Sequence, residues 1–287
     1  MAPPHLPLNA PPILETPFEV RSGAGEVVRG DVRQPATGGH FPLVLVCHGF
    51  TAHKDWGPFP YIGRALAASG FASAVFNFSH NGIGPPFRRF TELDKFSRNT
   101  IGLELADVSA LLDAAAGGAL GAVDTGRIGI MGHSRGGGVA LLAAARDRRI
   151  RAVVGWGTVS TFQRFTQHQR EIWERDGFLP VTVRGARTKL RYGIEVLRDL
   201  DAHREAYDLH RAAAELRVPL LLVHGGADVS VKPEEARSLH EAAGPASSLV
   251  VIPAAGHVLG AEHPFRVPAP ALDRAIALTA GWFHRYL

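Results

Sequence analysis

Apolar runs alternate with stretches of helical period along most of the chain. Residues 43–47 (LVLVC), 72–78 (ASAVFNF), 152–156 (AVVGW) and 219–223 (PLLLV) are apolar with little polar interruption. That is the pattern of strands covered on both faces of a parallel sheet. Between them, residues 61–69 read as a helix closed by Gly70. Residues 99–116 read as another, with Ile101, Leu105, Val108, Leu111 and Leu112 on one apolar face. Two shorter runs, 18–21 and 26–33, flank Ser22-Gly23-Ala24-Gly25 and predict an antiparallel hairpin at a sheet edge. Towards the end, a helix begins near Pro233, a residue suited to a first helical turn, and runs to about 243. A strand over 248–252 and a closing helix over 271–286 follow. The alternation predicts an α/β fold, a mostly parallel sheet with helices on both faces.

The rhythm breaks once. Residues 158–217 hold an amphipathic helix near 162–174, a hairpin-like VTVRG at 181–185 and more helix from Tyr192 onward. At roughly sixty residues this exceeds an ordinary connection, and long insertions tend to be functional. It reads as a cap over a cleft, with an added packing layer as the alternative. The chain, 1–287, is expected to form one domain carrying this insertion, preceded over residues 1 to about 14 by a Pro-rich extended arm.

The chemistry centres on Gly132-His133-Ser134-Arg135-Gly136, between a strand over 127–131 and a helix over 139–146. In such a strand-turn-helix setting a G-x-S-x-G turn is a nucleophile elbow that exposes the serine hydroxyl. Glycine flanks the turn because a side chain there would meet the neighbouring strand or helix. Serine is a poor nucleophile unless a base takes its proton and an acid orients the base. Asp228 follows the strand after the insertion, and His257 lies in the loop Pro253-Ala254-Ala255-Gly256-His257 after the final strand. Ser134, Asp228 and His257 are therefore the candidate triad. His263, in the same loop, is the rival base, and Asp199 and Asp201, inside the insertion, are the rival acids. Backbone donors for an oxyanion are expected from Arg135 and from the turn after His48-Gly49, at Phe50 with Thr51 as the alternative. Trp156, Phe162, Phe165 and Trp173 are the candidate substrate-pocket residues.

These residues bring the chain close to a known group. From His48-Gly49-Phe50-Thr51 through the elbow to Asp228 and His257, the sequence resembles the α/β-hydrolase superfamily over nearly its whole length. The HGFT turn, the GHSRGG elbow and His263-Pro264-Phe265 after Gly256-His257 are similar to its dienelactone-hydrolase-like, feruloyl-esterase-like and acylaminoacyl-peptidase-like branch. The resemblance implies an α/β-hydrolase fold with a cap, and a carboxylesterase working through an acyl-enzyme. Amide or thioester hydrolysis by the same triad is the neighbouring reading, and a non-catalytic binding module is the reading from another class. Dienelactone hydrolases proper use cysteine where Ser134 stands. Peptidases of this type carry an N-terminal propeller that this sequence lacks, so extended peptide processing is not expected. Asn77 stands where many relatives have aspartate.

Composition narrows the partners. With 46% hydrophobic and 20% charged residues and a formal charge of +4, the chain has the make-up of a globular domain. Its basic residues are scattered and form no stripe interleaved with aromatics, so no nucleic-acid partner is expected. Cys47 is the only cysteine, so no intrachain disulfide can form. No apolar run reaches membrane-spanning length and the first residues lack a signal-peptide pattern, so no membrane partner and a cytoplasmic location are expected. The triad calls for no cofactor and no metal ion. The expected partner is a small-molecule ester, and the oligomeric state, a homo-oligomer included, is left open.

Overall fold

The computed structural model describes residues 11–23, 25–85, 89–183 and 189–287. The chain opens with β1 (Ile13–Arg21) and β2 (Val27–Pro35), an antiparallel hairpin in which Val20 faces Val28. Then come β3 (Phe41–Cys47), α1 (Phe59–Ala68) and β4 (Ala72–Asn77). A small hairpin, β5 (Ile83–Gly84) with β6 (Arg89–Phe90), leads through α2 (Leu93–Ser97) into α3 (Ile101–Ala116). Next are β7 (Val123–His133), α4 (Arg135–Arg146) and β8 (Ile150–Trp156).

The insertion holds α5 (Gln167–Asp176), β9 (Phe178–Val181), β10 (Leu190–Gly193), α6 (Ile194–Ala202) and α7 (Leu209–Ala214). The chain closes with β11 (Leu220–Gly225), α8 (Pro233–Ala243), β12 (Ser247–Ile252) and α9 (Pro270–Tyr286).

Eight strands form one sheet in the order β1-β2-β4-β3-β7-β8-β11-β12. From β4 to β12 every pairing is parallel, and the hairpin adds the antiparallel edge. Side chains alternate across the sheet. In β3, Leu43, Leu45 and Cys47 join the core that α3, α4 and α8 cover, while Val44 and Val46 join the core under α1 and α9. Both cores bury apolar side chains against the sheet and hold the strand ends, where the site lies.

The insertion departs from expectation in its details. The amphipathic helix begins at Gln167, because Thr166 and Gln169 form a reciprocal capping box there. Phe162 and Phe165 therefore sit in the approach to the helix rather than on it. The hairpin is wider than VTVRG, with Leu190–Gly193 pairing back onto Phe178–Val181, and Arg184 and Gly185 fall outside the described residues. Tyr192 belongs to strand β10, not to a helix. Trp173, Leu190, Leu197, Leu200 and Leu209 enter the same core as α3 and α4, so much of the insertion is indeed an added packing layer. The Pro-rich arm is already strand at Ile13, and residues 1–10 lie outside the described residues. Among the described residues no helix is long and apolar enough to cross a membrane.

Two glycines test how tightly the elbow is built. A Cβ on Gly132 would lie 2.1 Å from the Gly136 carbonyl oxygen, whereas one on Gly281 in α9 meets nothing within 4 Å. Gly132→Ala is expected to destabilise by at least ~2 kcal/mol, and Gly281→Ala to stabilise by about 0.5–1 kcal/mol through helix propensity. Urea unfolding of both variants checks this; equal effects would mean the elbow is looser than its geometry.

Candidate active site

Ser134 sits between β7 and α4 with φ 56° and ψ −119°, a conformation that costs a non-glycine residue about 1–3 kcal/mol. The surroundings hold it there. Its N–H donates to the Trp156 carbonyl at 2.8 Å, and its own carbonyl accepts from Gly137 N–H at 3.0 Å. A Cβ on Gly136 would come within 2.4 Å of the His48 carbonyl oxygen and 2.5 Å of that of Cys47, so the start of α4 lies directly on the end of β3.

Asp228 and His257 follow the ends of β11 and β12. The His257 ring Nδ1–H donates to Asp228 Oδ2 at 2.7 Å, and Asp228 Oδ1 accepts the backbone N–H groups of Ser230 at 2.9 Å and Val231 at 3.0 Å. Burial pushes the Asp228 pKa up, but the Val231 N–H and His257 outweigh it and hold the carboxyl below its ordinary value. The acid is thus ionised and fixed in direction. His224, fully buried in β11, approaches the same carboxylate at 3.3 Å while its Nε2 bonds the Val231 carbonyl at 2.9 Å, closing the acid turn from below.

The rivals lie elsewhere. His263 Nδ1 accepts from Gly57 N–H at 3.0 Å and its ring stacks on Trp56. Asp199 accepts from the Tyr207 hydroxyl at 3.0 Å, and Asp201 pairs with Arg170 and Arg204.

Two histidines brace the loops around Ser134 and the His257–Asp228 pair. His133 Nε2 meets the His257 carbonyl at 2.9 Å, tying the His257 loop to the elbow, and burial takes its pKa down to about 3. His48 is buried, with Nδ1 on the Gly49 carbonyl at 2.9 Å and Nε2 accepting from the Asn81 side chain at 3.2 Å. Burial lowers it to about 3 as well. Next to it, Ala52 N–H closes a turn onto the Gly49 carbonyl with Thr51 at φ 58°, and Phe50 occupies the first central position. This turn rests on the elbow, since a Cβ on Gly49 would be 3.3 Å from that of Ser134. Arg135 opens α4, where a backbone N–H has no intrahelical partner.

Ser134, Arg135, His257 and Phe50 open on one cavity of about 220 Å³, completed by Val159, Phe162, Arg164, Phe165, Tyr192, Ser230 and Val231. Phe162 and Phe165 face it. Trp173 does not line it: fully buried, it stacks on Tyr192 and meets Phe165 edge-on at 4.9 Å, supporting the wall from behind. Trp156 is on the other side of the sheet. Ala152, Val154 and Trp156 alternate onto the α1/α9 face, and the indole N–H donates to Thr279 on α9 at 2.9 Å. It reaches Ser134 through its carbonyl.

Sequence reasoning missed Tyr192 and Glu104. The Arg135 Nε–H donates to both Glu104 oxygens at 3.0 Å, and Nη1–H donates to the Tyr192 hydroxyl at 2.5 Å. Burial raises the Glu104 carboxyl against the pull of Arg135, whose own proton is held more firmly by Glu104 despite burial. One signal was present in the chain: Glu104 and Asp107 interrupt an otherwise apolar helix face, and both are buried.

A profile of the α/β-hydrolase fold matches residues 42–179. The esterase domain of a Rhodothermus marinus protein superposes with a TM-score of 0.65 at 21% identity, covering 96% of this chain and 99% of that one. The chain has the α/β-hydrolase fold. A dienelactone hydrolase from Anabaena variabilis superposes on it with a TM-score of 0.61 at 21% identity, over 96% and 99% of the two chains. By sequence, a Methylorubrum extorquens protein provisionally named a carboxymethylenebutenolidase is 28% identical over 261 residues, 88% of this chain and 75% of that protein. The similarities fall in the branch that the HGFT turn and GHSRGG elbow suggest.

The buried state of His48 sets a pH test. Its folded pKa of about 3 lies below the ordinary 6.5, so the unfolded chain takes up a proton that the folded chain refuses. The resulting stability is complete above the ordinary value and is lost as pH falls toward the folded one. Between about pH 6 and 4, wild type should lose on the order of 1 kcal/mol per pH unit more than His48→Gln. Urea unfolding across that range compares the slopes; equal slopes would mean that His48 is protonated in the folded protein.

Proposed function

We propose that this α/β-hydrolase cleaves carboxylic esters through an acyl-enzyme on Ser134. One observation carries the reading: the strained Ser134 and His257, whose ring is joined to Asp228 at 2.7 Å, line one cavity, and the three residues follow the ends of the parallel strands β7, β12 and β11. Strand ends at such a sheet edge are where α/β folds place ligands. The named relatives, an esterase domain and a dienelactone hydrolase among them, support an ester rather than another acyl compound.

The residues take the following roles. Ser134 Oγ attacks the ester carbonyl carbon as His257 Nε2 accepts its proton. Asp228 holds the imidazole with Nδ1–H toward itself and offsets the positive charge that develops. The oxyanion accepts the N–H groups of Phe50 and Arg135, which the fold holds in place before charge develops. Collapse expels the alcohol, protonated by His257, and a water activated by the same base releases the acid and restores Ser134. Phe162, Phe165 and Tyr192 bring the insertion to the acyl side of the cavity, so it acts there as a cap. Arg164 also reaches the cavity, but it is paired with Glu235 and donates to the Ser230 carbonyl.

A fluorophosphonate probe should label the wild type and leave Ser134→Ala unlabelled; an unlabelled wild type would sink the mechanism. Asp228→Asn should lower turnover by roughly 10⁴-fold with the fold intact, and near-normal turnover would place the acid elsewhere. A cavity of about 220 Å³ suits short, medium or aromatic acyl groups. Among p-nitrophenyl esters, kcat/KM should therefore fall beyond medium chain length, and Phe165→Ala should move that limit to longer chains. An unchanged chain-length profile in Phe165→Ala would remove this residue from the acyl pocket.

A further inference from the structure

The Arg135 side chain has no part in the triad chemistry, yet it is the most heavily engaged cation near the site. Its Nε–H reaches both oxygens of Glu104, Nη1–H donates to Tyr192 Oη at 2.5 Å, and Nη2–H donates to the Asn99 carbonyl at 3.3 Å. Glu104 is anchored in turn by the Asn99 amide at 2.9 Å. The guanidinium carbon lies 5.9 Å from the Phe50 ring centre and 5.8 Å from that of Tyr192, and the two rings contact each other at 5.2 Å. One side chain thus ties the start of α4 to α3, the insertion strand β10 and the turn that carries Phe50.

Stability alone does not account for this arrangement. A desolvated ion pair is often matched or bettered by packed apolar residues of similar volume. What the planar guanidinium adds is direction, because its donors form a rigid fork. Direction matters at this position. Arg135 comes straight after the strained Ser134 and has no preceding helical turn to orient its N–H.

We propose that the Arg135 guanidinium is a positioning group that aims both oxyanion donors, and that its bond to Tyr192 makes the seating of the insertion a determinant of turnover. The inference rests on the serine-hydrolase reading above. Arg135→Met and Arg135→Lys both keep the backbone N–H, so a loss of rate in either reports aim rather than removal of the donor.

The main test is the double variant Arg135→Met/Glu104→Gln, which replaces the ion pair with two neutral groups of similar size. It should unfold at close to the wild-type temperature. Its kcat on p-nitrophenyl butyrate should fall about tenfold or more with KM within about twofold, since misplacing a preorganised donor acts on the transition state. The rate of fluorophosphonate labelling should fall in parallel. Arg135→Lys keeps the charge without the fork and should not restore kcat. Tyr192→Phe, which removes one hydroxyl and keeps the ring, should lower kcat about threefold; it also serves as the test if the double variant does not fold. A folded double variant with wild-type kcat, or a loss confined to KM, would overturn the positioning role while leaving the serine mechanism standing. Wild-type kcat in Tyr192→Phe would overturn the link to the insertion. A wild type that neither hydrolyses the ester nor takes the label would overturn both readings.

Discussion

The site depends on one close contact between main chains. Gly136 lies against the carbonyls of Cys47 and His48, and Gly132 against the carbonyl of Gly136, with no room for a side chain at either place. Because these backbones touch, the end of β3 and the start of α4 form a single rigid unit, and the turn bearing Phe50 falls beside Ser134. The strain at Ser134, about 1–3 kcal/mol for such a backbone, is sustained by hydrogen bonds to Trp156 and Gly137 and by the apolar cores on both faces of the sheet. Loosening the contact would release Ser134, the Phe50 turn and the first turn of α4 together.

Around that unit, the loops are held by hydrogen bonds between side chains and main chain. Asp228 receives two backbone N–H groups, the His257 carbonyl is met by His133, and the Gly49 carbonyl by His48. A histidine kept neutral by burial is well suited to this work, since it offers one donor and one acceptor in fixed directions. Ser134 and the His257 ring can then face the cavity while other side chains hold their loops.

Much of this was legible in the sequence. Strands buried on both faces announce themselves as unbroken apolar runs, and Asp228 and His257 are readable because each follows such a run. The parts that were not legible are tertiary. The face toward which Trp156 points follows from strand parity, but which face of β8 looks toward the site depends on how the helices pack. Phe162 and Phe165 leave the helix expected of them because a capping box starts α5 later. Tyr192 and Glu104 stand 88 positions apart in the chain, and no local pattern in it pairs them across Arg135. Only the oddity of buried acids on an apolar helix face gave a hint.

The hydrogen bond between Arg135 and Tyr192 also bears on how such a protein can be remodelled. The insertion leaves the sheet after β8 and returns before β11, which makes it look like a detachable module that could be traded for another to alter what the enzyme accepts. Yet it supplies the hydroxyl and the ring that cover the guanidinium beside the elbow. A transplanted segment of the right length and shape but without such a residue would leave Nη1 of that guanidinium without its partner, while Glu104 and the Asn99 carbonyl keep theirs. Exchange of the insertion therefore carries a chemical requirement as well as a geometric one: the incoming segment must bring its own polar, ring-bearing partner for Arg135.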